Sequence, residues 1–197
     1  MIATILPGSS NFHAVDYNER KVAKGVARLL EIQNFGALGE VRKPTPDELT
    51  QFLMEYSSMN PRIQKAQFHV AISCKGHEMS EQQLLDFTHR YLQEMGYAEP
   101  EQPWLIYSHN DTDNAHLHIV TSRVAPDGRK IQHDHERRRS QAVIDKILGT
   151  DRTQKTEQDL EAAKQYSFSS FAQFKAVMGS MGYEVFQKDG NVFIKQG

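Results

Sequence analysis

Cysteine, long apolar runs and surplus positive charge are all scarce in this sequence, and each shortage excludes something. The one cysteine, Cys74, allows no internal disulfide and fits a reducing cytoplasm. No apolar run approaches the ~18 residues of a membrane span. The opening MIATILPGSS lacks the basic and long apolar regions of a secretory signal. The expectation is a cytoplasmic protein without membrane insertion. The net charge of −2 is not that of an unselective phosphate binder, which carries a basic excess. Positive charge is instead gathered locally, in RKIQHDHERRR at 129–139, so any anion-binding surface must be a patch. Internal repeats and low-complexity tracts are also missing.

What is present reads as alternating helices and strands. Residues 1–6 predict a short strand. In 19–31, ERKVAKGVARLLE, Val22, Val26, Leu29 and Leu30 fall on one helical stripe, and 32–46, with its glycines and prolines, reads as a long loop. Thr45, Pro46 and Glu48 form a capping-box start for a helix over about 46–58. AQFHVAISC (66–74) is the clearest strand, with Phe68, Val70, Ile72 and Cys74 on one face and Gln67, His69, Ala71 and Ser73 on the other. Ser80 opens a helix that Gly96 closes. Strands follow at 103–109 and 115–124 around the turn-forming NDTDN, then a helix at 135–148, a helix near 169–181 and a hairpin, YEVFQ–KDG–NVFIK. The link between the two middle strands is too short for a parallel crossover. The predicted fold is α+β, a central antiparallel sheet with helices packed on one face. The expected domains are a main one over 1–148, a linker at 149–157, and a helix-plus-hairpin element over 158–197.

The most informative segment is YSHNDTDNAHLHIV, 107–120. His116 and His118 lie two apart on a strand and share a face. A connection with an even number of residues sets His109 opposite His116, so that the three imidazoles converge; an odd one turns His109 away. Three nitrogen ligands leave coordination positions open, as a metal doing chemistry requires. Such ligands suit Mn, Zn, Ni or Co, and Mg where phosphate adds oxygens. Asp111 and Asp113 are candidates to support the histidines from behind.

The pattern His109-x-Asp111-x-x-Asn114-x-His116-x-His118 resembles the histidine motif of mobilisation and conjugative relaxases, within the HUH endonucleases. The resemblance takes in SSNFHAVDYNERKVAKG and NPRIQKAQFHVAIS and covers roughly 1–148. It implies a site- and strand-specific DNA nickase that acts at a transfer origin in a bacterial cytoplasm. Its partners would be single-stranded DNA, accessory mobilisation proteins and a conjugative coupling protein. It matches His109, His116 and His118 to metal ligands, with Mg or Mn as the divalent ion in use, and Tyr17 to the nucleophile.

Among seven tyrosines, the residues alone do not select one. Tyr17 sits in the polar DYNERK, where a phenol is free to reach a phosphodiester. Tyr107 would lie opposite His118 and line the site. His69 is a candidate phosphate contact or activator of Tyr17, and Cys74 reads as packing. Lys21, Lys24, Arg129, Lys130, Arg137, Arg138 and Arg139 are candidate DNA contacts. Competing readings are a rolling-circle replication initiator or transposase with the same chemistry, and a metal hydrolase that does not act on DNA.

Overall fold

The computed structural model describes residues 1–38, 42–76, 78–149, 152–165 and 170–196. The chain divides into two compact units, Met1–Ile144 and Asp145–Gly197. In order, the elements are β1 (Ile2–Ile5), α1 (His13–Ala23), β2 (Ala27–Gln33), α2 (Pro46–Ser57), β3 (Gln67–Ser73), α3 (Glu81–Met95), β4 (Trp104–His109), β5 (His116–Ser122) and α4 (Glu136–Ile147), the last crossing the division. The second unit holds α5 (Arg152–Lys164), α6 (Phe171–Ser180), β6 (Tyr183–Lys188) and β7 (Asn191–Gln196).

The first unit is built on a five-stranded antiparallel sheet in the order β1-β3-β5-β4-β2. The α+β class with an antiparallel sheet at its centre is as the sequence led us to expect. The central strands are buried on both sides, and both sides are covered. On one face Leu105, Tyr107 and Val120 pack with Val15 of α1 and with Leu49 and Leu53 of α2. On the other, Leu84 of α3 lies by Leu117, and Phe68 stacks on Tyr97 with ring centroids 4.0 Å apart. Helices on one face alone would have left one of these apolar surfaces in water.

Most helix ends obey local rules. Thr45 and Ser80 form complete capping boxes with Glu48 and Gln83, and Gly96 closes α3 in the left-handed region. α1 differs. Its N-cap, Phe12, is itself left-handed at φ 49° and has no side-chain cap. The acceptor comes from across the fold: Gln67 Oε1 on β3 accepts from Ala14 N at 3.0 Å. Phe12 is fully buried, so packing and a tertiary cap together seat this helix on the sheet.

The region 13–33 departs from expectation. The helix expected at 19–31 runs instead over His13–Ala23, ends before the left-handed Gly25 (φ 72°), and gives way to β2. The shift of register between Leu29 and Glu31 is the reason the strand hid. Leu29 and Ile32 face the α1–α2 core, whereas Arg28, Glu31 and Gln33 pair with Ser108, Ile106 and Trp104 on the α3 side. The extra residue, Leu30, breaks strict alternation and puts two leucines side by side, as in a helical stripe. The loop expected from 32 therefore begins after Gln33, and its residues 39–41 lie outside the described residues.

In the second unit Ala163, Met178, Tyr183 and Val185 form a small core with Phe174, Val177 and Ile194 around it. Much of the expected 149–157 linker is the start of α5. The hairpin turns on Asp189-Gly190, both at positive φ, with Lys188 paired to Asn191. A two-residue loop replaces the expected three because Lys188 joins the ladder.

Candidate active site

β4 and β5 place the histidines. His109 pairs with His116 and Tyr107 with His118, so the even-numbered connection holds. Asn110 and Ala115 do not pair with each other: Asn110 N donates to Val26 O, and Ala115 N to Gly76 O. One potential ligand atom from each of His109, His116 and His118 lies within 4.8 Å of the others.

Hydrogen bonds decide which nitrogens point inward. Asn18 Nδ2 donates to Ala14 O at 2.7 Å, so its Oδ1 faces His109 Nε2, also at 2.7 Å, and must accept from it. That leaves His109 Nδ1 without its proton, and it is buried with no hydrogen-bond partner among the described residues. His116 Nδ1 donates to Asn114 O at 2.9 Å, freeing Nε2. His118 Nδ1 bonds His69 Nε2 at 2.8 Å, freeing its own Nε2. An orphaned lone pair in a dry site, beside two more imidazoles held from behind, is a donor set that fits a divalent cation. Burial also lowers the histidine pKa values. It brings His69 and His109 to about 4 and His118 to about 2, with neighbouring His109 adding to the effect on His69 and His118, and Lys21 to that on His109. These rings are neutral at physiological pH, as ligation requires.

α1 crosses directly over this cluster. The Tyr17 ring centroid is 5.9 Å from that of His118, 6.1 Å from His109 and 6.4 Å from His69, yet the residue is 44% exposed. One turn on, Lys21 Nζ lies 5.0 Å from the Tyr17 ring centroid and pairs with Asp111 Oδ2. The other Asp111 oxygen lies 3.8 Å from His109 Nδ1 and 3.6 Å from His116 Nε2. Asp111 thus stands on the ligand side of the rings, not behind them. Asp113 lines a groove of about 550 Å3 beside His109 and His116 and supports neither. The groups behind the rings are Asn18, His69 and the Asn114 carbonyl. Sequence reading missed Asn18, because nothing in DYNERK shows that a helix carries it 91 positions along the chain to His109.

Tyr107 does not line the open site. It is fully buried, and its hydroxyl lies beside the Glu19 carboxylate. Burial first, and then that charge, raises its pKa well above the usual tyrosine value. The basic candidates separate into groups. Lys21 is at the site, and Lys24, exposed, follows at the end of α1. The 129–139 cluster begins beyond the Ser122 end of β5, roughly 20 Å along the strand direction from His116 at ~3.4 Å per residue. There Arg129 pairs with Glu99 and Asp127, Lys130 bonds His133, and Arg139 donates to Met95 O and Gln132 O. Arg137 and Arg138 are exposed.

No curated protein and no solved structure matches this chain. A family model does: that of the relaxase, MobA/VirD2-like, nuclease domain, over residues 17–150.

Proposed function

Because this chain belongs to the MobA/VirD2-like relaxase nuclease family, and so to the DNA-nicking enzymes, we propose that Tyr17 is its nucleophile and His109, His116 and His118 its metal ligands. The observation that carries the reading is the exposed Tyr17 ring about 6 Å from the rings of His109 and His118. A divalent ion held there, Mg or Mn in use, would draw charge from the nonbridging oxygens of the scissile phosphate. Tyr17 Oη attacks phosphorus, the bond from phosphorus to the 3′-oxygen breaks, and the phenolic proton is exchanged for one on that oxygen. The products are a 5′-phosphotyrosyl strand and a free 3′-hydroxyl. Bond count is unchanged, so the reverse attack reseals the strand. Lys21, with Nζ 5.0 Å from the Tyr17 ring centroid, places a positive charge beside the incoming phosphate. His69, hydrogen-bonded to His118, acts by orienting that ligand rather than by touching phosphate.

The substrate in this reading is single-stranded or extruded DNA at a transfer origin, since a stacked duplex resists the distortion that in-line attack demands whereas an unpaired strand adapts. Accessory mobilisation proteins and a conjugative coupling protein would complete the pathway. Labelled single-stranded oligonucleotides incubated with Mn or Mg test the chemistry. A covalent protein–DNA band is expected from the native protein and none from Tyr17→Phe, whose metal affinity should be unchanged. Adduct mapped to a Tyr107 peptide, with Tyr17→Phe still active, would overturn the assignment.

A further inference from the structure

The bulge at Leu30 turns Glu31 and Gln33 of edge strand β2 toward the α3 side, where they meet Trp104. With His89, Arg90 and Gln93 of α3 they line a groove of about 490 Å3. Trp104 is the chain's one tryptophan, and it is half-buried. Its Nε1 donates to Glu31 Oε2 at 3.2 Å, and His89 Nε2 bonds the same oxygen at 2.9 Å. The shared carboxylate fixes the indole in one orientation, 6.4 Å from the His89 ring and inclined 51° to it. Arg90 and the side chain of Gln93 are exposed and bond to no described residue. They stand ready for a ligand.

The lining indicates the ligand's chemistry. An apolar peptide would find too much amide and charge. A phosphate alone would find one free guanidinium beside a carboxylate. An unpaired nucleobase fits better: the indole offers a flat face, the amides reach its edge, and Arg90 reaches the phosphate attached to it. Trp104 lies at the far end of β4 from His109 and on the opposite face of the sheet, roughly 17 Å along the strand at ~3.4 Å per residue, so a strand serving both sites passes round the β2 edge. That distance is within the run of nucleotides a single-strand groove tracks. We propose that this groove is a base-stacking subsite for the same single strand whose phosphate lies at the histidines, which rests on the function proposed above.

A single tryptophan makes the test direct. A mixed-sequence single-stranded oligonucleotide is titrated into the Tyr17→Phe protein while Trp104 emission and oligonucleotide anisotropy are followed. Emission should be quenched in step with binding. Trp104→Leu should weaken binding about tenfold or more, the order of one lost base stack, and Trp104→Phe should restore most of it. Arg90→Gln should weaken binding several-fold, with metal affinity at the histidines unchanged. Binding without change in emission, or equal affinity of the Leu and Phe variants, would overturn the proposal. Adduct formation by the native protein is scored separately. Adduct without quenching removes this subsite and keeps the nicking chemistry, whereas quenching without adduct keeps the groove as a DNA site and removes Tyr17 from its role.

Discussion

Replacing Asn18 with leucine should separate what holds His109 from what binds to it. The side chains are similar in size, so little cavity forms. What vanishes is Oδ1, the only acceptor for His109 Nε2–H among the described residues, 2.7 Å away in a site where both residues are almost wholly buried. Leaving that donor unpaired costs ~1–3 kcal/mol of stability. The ring also loses the bond that keeps its proton on Nε2. The tautomer with Nδ1 protonated is no longer disfavoured, and each binding event must reverse it. Loss of such a group behind a ligand typically weakens metal binding by about 10- to 100-fold, or ~1.4–2.7 kcal/mol. Calorimetric titration with Mn should show that loss in Asn18→Leu and near-native affinity in Asn18→Asp, which keeps an oxygen in place. Native affinity in Asn18→Leu, with its thermal stability reduced as expected, would refute the assignment of Nδ1 as the ligand atom.

Three further outcomes are expected. For the metal-free protein, the folded-state pKa values of His69, His109 and His118 lie below the unfolded value of 6.5. Stability is therefore fully present above that value and declines as pH falls through it, toward about 4 for His69 and His109 and further for His118; urea titrations at several pH values would expose a flat profile. Gly25→Ala should cost ~1–2 kcal/mol through backbone strain alone, because φ is 72° and open space surrounds the new methyl; an unchanged melting temperature would contradict this. Tyr107→Phe removes a buried hydroxyl beside the Glu19 carboxylate, away from the exposed site, so the DNA adduct should still form at near-native yield in the labelled-oligonucleotide assay.

Three strands and their histidines were readable in the sequence because their signals are local. β3 alternates cleanly, β4 and β5 are apolar runs around a polar turn, and an even-numbered connection suffices to set His109 against His116. α1 and β2 were not readable, because their signals are tertiary. The buried side of α1 carries Asn18 and Glu19 alongside Ala14 and Val15, so apolar periodicity misses it. Its cap comes from Gln67, on another strand. In β2 the bulge spoils the alternation that a strand should show. The 129–139 run was visible as charge, but its use was not, since Arg129 and Arg139 are largely engaged in holding neighbouring chain.

The nucleophile candidate, the group that fixes the His109 tautomer, and the cation paired with Asp111 all lie within five positions of one short helix: Tyr17, Asn18 and Lys21. A helix moves as a rod, so these three cannot be tuned separately. A slip of α1 along the sheet would misaim the phenol, loosen the acceptor behind His109 and part Lys21 from Asp111 in a single displacement. Damage at the seat of the helix, at Phe12 or Gln67, should then lower metal affinity and adduct yield in proportion, although neither residue touches the cluster. Selection acting on either property would keep the same seat intact. Drift in this protein should accordingly be freer at the exposed Arg20 and Lys24 than at the buried residues that set the rod's alignment.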